Sequence, residues 1–117
     1  MTKAEEYVAA WRQGYRGDFS LVDRIYHPDY KSFDYRTGIE ANLEDDKVIT
    51  STLTAIMIIG HFQTIYESED FLGIECFVKR NYTEIDRSGP DYGARITAVY
   101  YKNGKITEHK ISTNPRF

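Results

Sequence analysis

The stretch ARITAVYYKNGKITEHKIST, residues 94–113, decides the fold. β-Branched and aromatic residues run on both sides of Asn103-Gly104. A two-residue type I′ turn needs positive φ at both central positions, which Asn and Gly adopt at least cost. The segment therefore reads as a β-hairpin. With that turn, Lys102 faces Lys105, Tyr100 faces Thr107 and Ala98 faces His109, and Ile111 continues the face. The opposite face carries Arg95, Thr97, Val99, Tyr101, Ile106 and Glu108. That mixture is too apolar for a free surface, so it predicts a homodimer through the sheet face.

Upstream of the hairpin, FLGIECFVKRNYTE alternates and reads as a strand with Leu72, Ile74, Cys76 and Val78 on one side. Arg80 and Tyr82 extend that side toward a pocket mouth, where Arg80 is placed to grip a carboxylate or phenolate. Residues 58–67 read as another strand, and DRSGPDYG as a loop. The first half is helical. Thr2 caps residues 2–14, with Glu5 three positions on, and Tyr7, Ala10, Trp11 and Gly14 fall on one face. A second helix starts at Asp18 and stops before Pro28, because proline disfavours helical geometry in the preceding residue. Residues 30–36 form a short strand with Tyr30, Ser32 and Asp34 on one face and Lys31, Phe33 and Tyr35 on the other. Residues 43–56 begin as a helix, which is expected to run to Ala55; the acids and lysine of LEDDK read as its solvated start.

Helices early and antiparallel strands late predict an α+β fold. The expected shape is a cone-shaped roll, a curved antiparallel sheet wrapped over about three helices. The chain has 117 residues, 41% hydrophobic and 15% aromatic, which suits one domain over 1–117 with its own core. A formal charge of −3 argues against a nucleic-acid partner. The longest apolar run, AIMIIG, is too short to span a bilayer, so no membrane association is expected. A single cysteine, Cys76, excludes an intramolecular disulfide and fits a reducing, cytoplasmic setting. The three histidines, His27, His61 and His109, lie too far apart for a short-range ligand pair, so no metal site is expected.

Two stretches together resemble a known superfamily. EEYVAAWRQG…GDFSLVDRIYHPDYKSFD is similar to the opening of the nuclear transport factor 2-like proteins, in particular the SnoaL-like cyclases and ketosteroid isomerases, and YYKNGKITEHKI resembles their closing hairpin. The resemblance implies a small-molecule pocket and cofactor-free proton transfer of isomerase, cyclase or dehydratase type. The substrate it implies is an apolar cyclic carbonyl compound. It carries over three positions. Asp34 matches the strand acid that serves as base, and Tyr7 matches the helix-one tyrosine that stabilises the oxyanion. Ala98 or a neighbour matches a second, protonated acid; that departure weighs toward the alternative, a non-catalytic ligand-binding or dimeric protein-interaction module.

The residues themselves add to this. Burial of Asp34 among aromatics would raise its pKa, as a general base requires; in the simpler reading it is a strand-edge acid facing water. His109, on the face with Ala98 and Ile111, is expected to look into the hollow and to orient Asp34 or act as a second acid–base group; a satisfied structural histidine is the alternative. Trp11, Tyr30, Ile74, Cys76, Val78, Arg80, Ala98, Tyr100 and Ile111 are the expected ligand-contacting wall.

Overall fold

The computed structural model describes residues 1–53, 57–80 and 92–113, and for 53, 57–61, 78–80 and 92 the backbone alone. The elements run α1 (Lys3–Tyr15), α2 (Ser20–Ile25), β1 (Tyr26–Asp34), β2 (Ile39–Asn42), α3 (Leu43–Leu53), β3 (Met57–Glu67), β4 (Phe71–Arg80), β5 (Tyr92–Lys102) and β6 (Lys105–Thr113). The six strands form one sheet in the order β2-β1-β6-β5-β4-β3. The fold is α+β, a curved, mostly antiparallel sheet with three helices. One join departs from the expected antiparallel pattern: β6 lies parallel to β1.

Local chemistry sets the ends of the helices. Thr2 and Glu5 cap α1 reciprocally, Thr2 Oγ1 accepting from Glu5 N–H at 3.1 Å and Glu5 Oε1 from Thr2 N–H at 3.0 Å. Gly14 lets α2 approach, since a Cβ there would stand 2.9 Å from the Phe19 ring. Helix α2 ends at Ile25, and Pro28 sits within β1 instead of just beyond a helix. The register against β6 shifts between Tyr26 and Lys31, and a proline without an N–H is tolerated at such an irregularity. Strand β2, which sequence patterning did not reveal, returns antiparallel along β1. Helix α3 starts directly after it. There Asn42 Oδ1 accepts from Asp45 N–H at 2.8 Å while Asp45 Oδ2 accepts from Asn42 N–H at 3.1 Å.

The closing hairpin corrects the sequence reading. Asn103 and Gly104 do adopt positive φ, 53° and 77°. Tyr101 pairs with Ile106, but Tyr100 pairs with Glu108 and Val99 with His109. Thr107 is an extra residue in β6, a β-bulge, and its hydroxyl donates to the Tyr100 carbonyl at 3.3 Å. One extra residue reverses which faces align. His109 therefore shares the inner face with Val99, and Arg95, Thr97, Val99 and Tyr101 turn inward. Ile106 is also in the core; it and Val99 have no exposed surface at all. Ala98 and Tyr100 lie on the outer face, where Tyr100 meets the Phe71 ring and Lys110 Nζ stands 5.5 Å from the Tyr100 ring centre. The residues on which a dimer face was expected thus belong mostly to the protein's own interior.

Ile106→Ala is expected to cost about 2–5 kcal/mol by the cavity it leaves, and Ala98→Ser on the outer face less than about 1 kcal/mol. Urea unfolding of both variants checks the order. Equal losses, or a larger one at Ala98, would contradict the bulged register.

Candidate functional site

Six side chains from four elements meet in one hydrogen-bonded network. Trp11 Nε1–H on α1 donates to Tyr26 Oη at 2.7 Å. Tyr26 Oη lies 2.9 Å from His109 Nε2, and Tyr30 Oη lies 2.8 Å from His109 Nδ1. Tyr30 Oη donates to Asp46 Oδ2 at 2.6 Å, and Ser32 Oγ donates to Asp46 Oδ1 at 3.2 Å. Counting donors fixes the directions. Indole N–H only donates, a neutral imidazole carries one N–H, and each tyrosine has one proton. With Asp46 ionised, the arrangement that uses every donor has Tyr26 donating to Nε2, Nδ1–H donating to Tyr30, and Tyr30 donating to the carboxylate.

The rings pack edge to face as well as bonding. Tyr7, Tyr26 and Tyr30 each meet the His109 ring at a steep angle, with centroids 5.6, 5.4 and 4.9 Å away. Burial governs the protons. It holds His109 far below its ordinary range, at about 3, and it raises the Tyr7, Tyr26 and Tyr30 hydroxyls, so these stay protonated. Burial also raises Asp46, opposed by its bonds from Tyr30 and Ser32.

Two adjacent chambers that share part of their walls open beside this network. The inner one, about 90 Å³, is lined by Tyr7, Trp11, Tyr15, Asp46, Ile49, Thr50, Phe62, Ile74, Cys76, Arg95, Thr97, His109 and Ile111. The outer one, about 240 Å³, is lined by Ser32, Asp34, Thr37, Ile39, Ala41, Asp46, Ile49, Arg95 and Ile111. Asp46, Ile49, Arg95 and Ile111 belong to both. Together the chambers reach the lower size range of ligand pockets, roughly 300 Å³.

The expected site residues divide. Tyr7, Trp11, Ile74, Cys76, His109 and Ile111 line the inner chamber. Tyr30 is fully buried one step behind it. Asp34 ends β1 in the outer chamber, half-buried, with Oδ1 accepting from Arg36 N–H at 2.9 Å. It does not meet His109, whose two ring nitrogens are occupied by Tyr26 and Tyr30. Ala98 and Tyr100 face away, as the bulge dictates. The side chains of Val78, Arg80 and His61, and all of Tyr82, lie outside the described residues. Burial raises the Cys76 thiol, which argues against a nucleophile.

Sequence reasoning missed Asp46 and Arg95. Of the LEDDK acids, Glu44 bonds Lys47 at 3.0 Å and Asp45 caps the helix, as a solvated start would have it. Asp46 instead points inward. The available signal was the spacing of Asp46, Ile49 and Thr50 at i, i+3 and i+4, one helix face. Among the described residues, no group of three His, Cys, Asp or Glu is placed to hold a metal ion, and no helix is long and apolar enough to cross a membrane.

The His109 shift has a stability consequence. Unfolded, the ring takes up a proton below about pH 6.5; folded, it stays neutral down to about 3. The contribution of the neutral buried ring is complete above pH 6.5 and is lost as pH falls toward 3, by at most ~1.4 kcal/mol per pH unit. Asp46, raised by burial, works in the opposite sense, and the facing tyrosines stay protonated throughout. The urea midpoint is expected to fall from pH 7 to 4, and more gently in His109→Gln. An equally steep fall in that variant would contradict a neutral buried ring.

Neither a known family nor a curated protein matches the sequence. Solved structures do match in fold. IdmH of Streptomyces antibioticus, proposed to be a polyketide cyclase, superposes with a TM-score of 0.73 at 15% identity, over 96% of this chain and 92% of its own. An NTF-2 like protein of unknown function from Burkholderia xenovorans gives 0.65 at 16% identity, over 97% and 83%. A hypothetical protein of ketosteroid isomerase-like fold from Catenulispora acidiphila, solved with trimethylamine, gives 0.63 at 17% identity, over 95% and 85%. The fold of this chain is that of the nuclear transport factor 2-like proteins.

Proposed function

We propose that the protein is a cofactor-free acid–base enzyme acting on a small, apolar, cyclic carbonyl compound, with Asp46 as the base. The observation that carries this reading is the placement of Asp46. It is a carboxylate raised by burial, held by Tyr30 and Ser32, and present in the walls of both chambers. A base needs reach to its substrate and a pKa lifted toward neutrality. Asp34 has the reach of the outer chamber alone. Tyr7 lines the inner chamber and keeps its proton, so its hydroxyl is suited to donate to a carbonyl oxygen as charge develops there. His109 does not exchange protons with substrate in this scheme. It is a positioning residue, which fixes Tyr30 and through it the carboxylate.

The narrowness of the inner chamber favours one alternative, a binding module of the same fold without turnover. A homodimer remains part of the proposal, but through different residues. Ile65, Tyr66 and Ile96 are exposed on the outer sheet face and would be its centre. Light scattering at micromolar concentration is expected to show twice the monomer mass, and a monomer would remove that element.

The enzymatic reading is tested with 2-tetralone, an apolar cyclic ketone. The wild-type protein should accelerate deuterium exchange at its α-carbon in D₂O, followed by proton NMR. Asp46→Asn should lower the rate by about 10²–10⁴-fold, and Asp34→Asn by less than about tenfold. Exchange unaccelerated by the wild type, or undiminished in Asp46→Asn, overturns the assignment.

A further inference from the structure

The polar and charged groups around the chambers are not all satisfied. Arg95 extends from β5 into the wall of both, and its Nε is buried without a hydrogen-bond partner. Its guanidinium makes no ion pair among the described residues. The nearby acidic groups offer it little. Tyr7, Tyr15 and Cys76 are raised by burial and keep their protons, although Arg95 pulls each of them down. Asp46 makes no ion pair with the arginine, although the guanidinium pulls its carboxyl down; Tyr30 and Ser32 each donate one bond to it. A buried donor left unpaired costs free energy that a ligand acceptor would recover.

We propose that Arg95 is an anion-binding group and that the natural ligand carries a carboxylate, which the Arg95 guanidinium holds while the apolar body fills the chambers. This rests on the chambers being a ligand site, as the functional reading also does. The guanidinium fork matches a planar carboxylate with two parallel N–H···O bonds. A doubly charged phosphate fits less well, because Asp34 and Asp46 share the outer chamber with the single arginine and would repel it. The ligand is thus bipolar: a carboxylate toward Arg95, an apolar ring along Ile49, Phe62, Ile74 and Ile111, and the reacting centre near Asp46.

The probes are 2-naphthoate and its neutral counterpart 2-naphthamide. Binding is followed by the fluorescence of Trp11, the one tryptophan of the chain, which lines the inner chamber. The acid should bind at least about tenfold more tightly than the amide, about 1.4 kcal/mol. Arg95→Met should abolish the preference. A second measurement needs no variant: the Arg95 Nε–H resonance in ¹⁵N NMR should move on adding naphthoate and stay on adding naphthamide. Equal affinities, no binding of the acid at millimolar concentration, or a preference that survives in Arg95→Met with naphthoate leaving the Nε–H resonance unmoved overturns the proposal. Those outcomes are separate from the tetralone exchange, which reads Asp46. Exchange that depends on Asp46 with no acid preference sinks the anion site alone, and the reverse pattern sinks the enzymatic role alone.

Discussion

A neutral imidazole with both nitrogens bonded is the constraint around which this interior is arranged. His109 on β6 is tied to Tyr26 and Tyr30 on β1, and through them to Trp11 on α1 and Asp46 on α3. Each buried hydrogen bond contributes only about 0.5–1.5 kcal/mol net, but leaving one partner unsatisfied costs about 1–3 kcal/mol. The row is therefore stable as a whole and poorly tolerant of a missing member. It also explains two features of the sheet. Parallel pairing of β1 with β6 sets Ser32 beside His109, which brings the β1 tyrosines to the ring. The bulge at Thr107 then keeps both Ile106 and His109 on the inner face, although they are three residues apart.

The same row joins fold to chemistry. Its last member is a carboxylate at the chamber wall, so the interactions that hold α3 against the sheet also aim Asp46. Burial disfavours both charged forms and so shifts the two groups in opposite directions: it favours the protonated carboxyl of Asp46 and the unprotonated ring of His109. In the proposed scheme, a carboxylate raised by burial and bonded through a tyrosine to a neutral ring would accept a proton without creating a new buried ion pair. Arg95 lines the same chambers with a donor unfilled, so the proposed base and the proposed anion site share one space.

Much of the architecture was legible in the sequence. The Thr2–Glu5 capping box, the Asn103-Gly104 turn and the alternation of Leu72, Ile74 and Cys76 are local signals, and each element forms where its signal lies. The inward placement of Tyr7, Trp11, Tyr30, His109 and Ile111 follows from periodicity within single elements. Errors arose where one residue changes the count. Thr107 reversed the alignment of β5 against β6, moving Ala98 and Tyr100 outward and Arg95 and Thr97 inward. In LEDDK, three adjacent acids look alike on paper, and only the cap formed by Asn42 and Asp45 decides that the next residue turns inward.

By itself the sequence determined the class of fold, the identity of most elements and the apolar faces, because these depend on propensities and spacings within a few residues. The tertiary structure alone decided which carboxylate is buried, which arginine shares its chamber and which nitrogen of His109 meets which tyrosine. Those outcomes depend on register between strands and on desolvation by distant neighbours. Neither is encoded within a window of chain; both arise only when α1, α3, β1 and β6 close around the same few side chains.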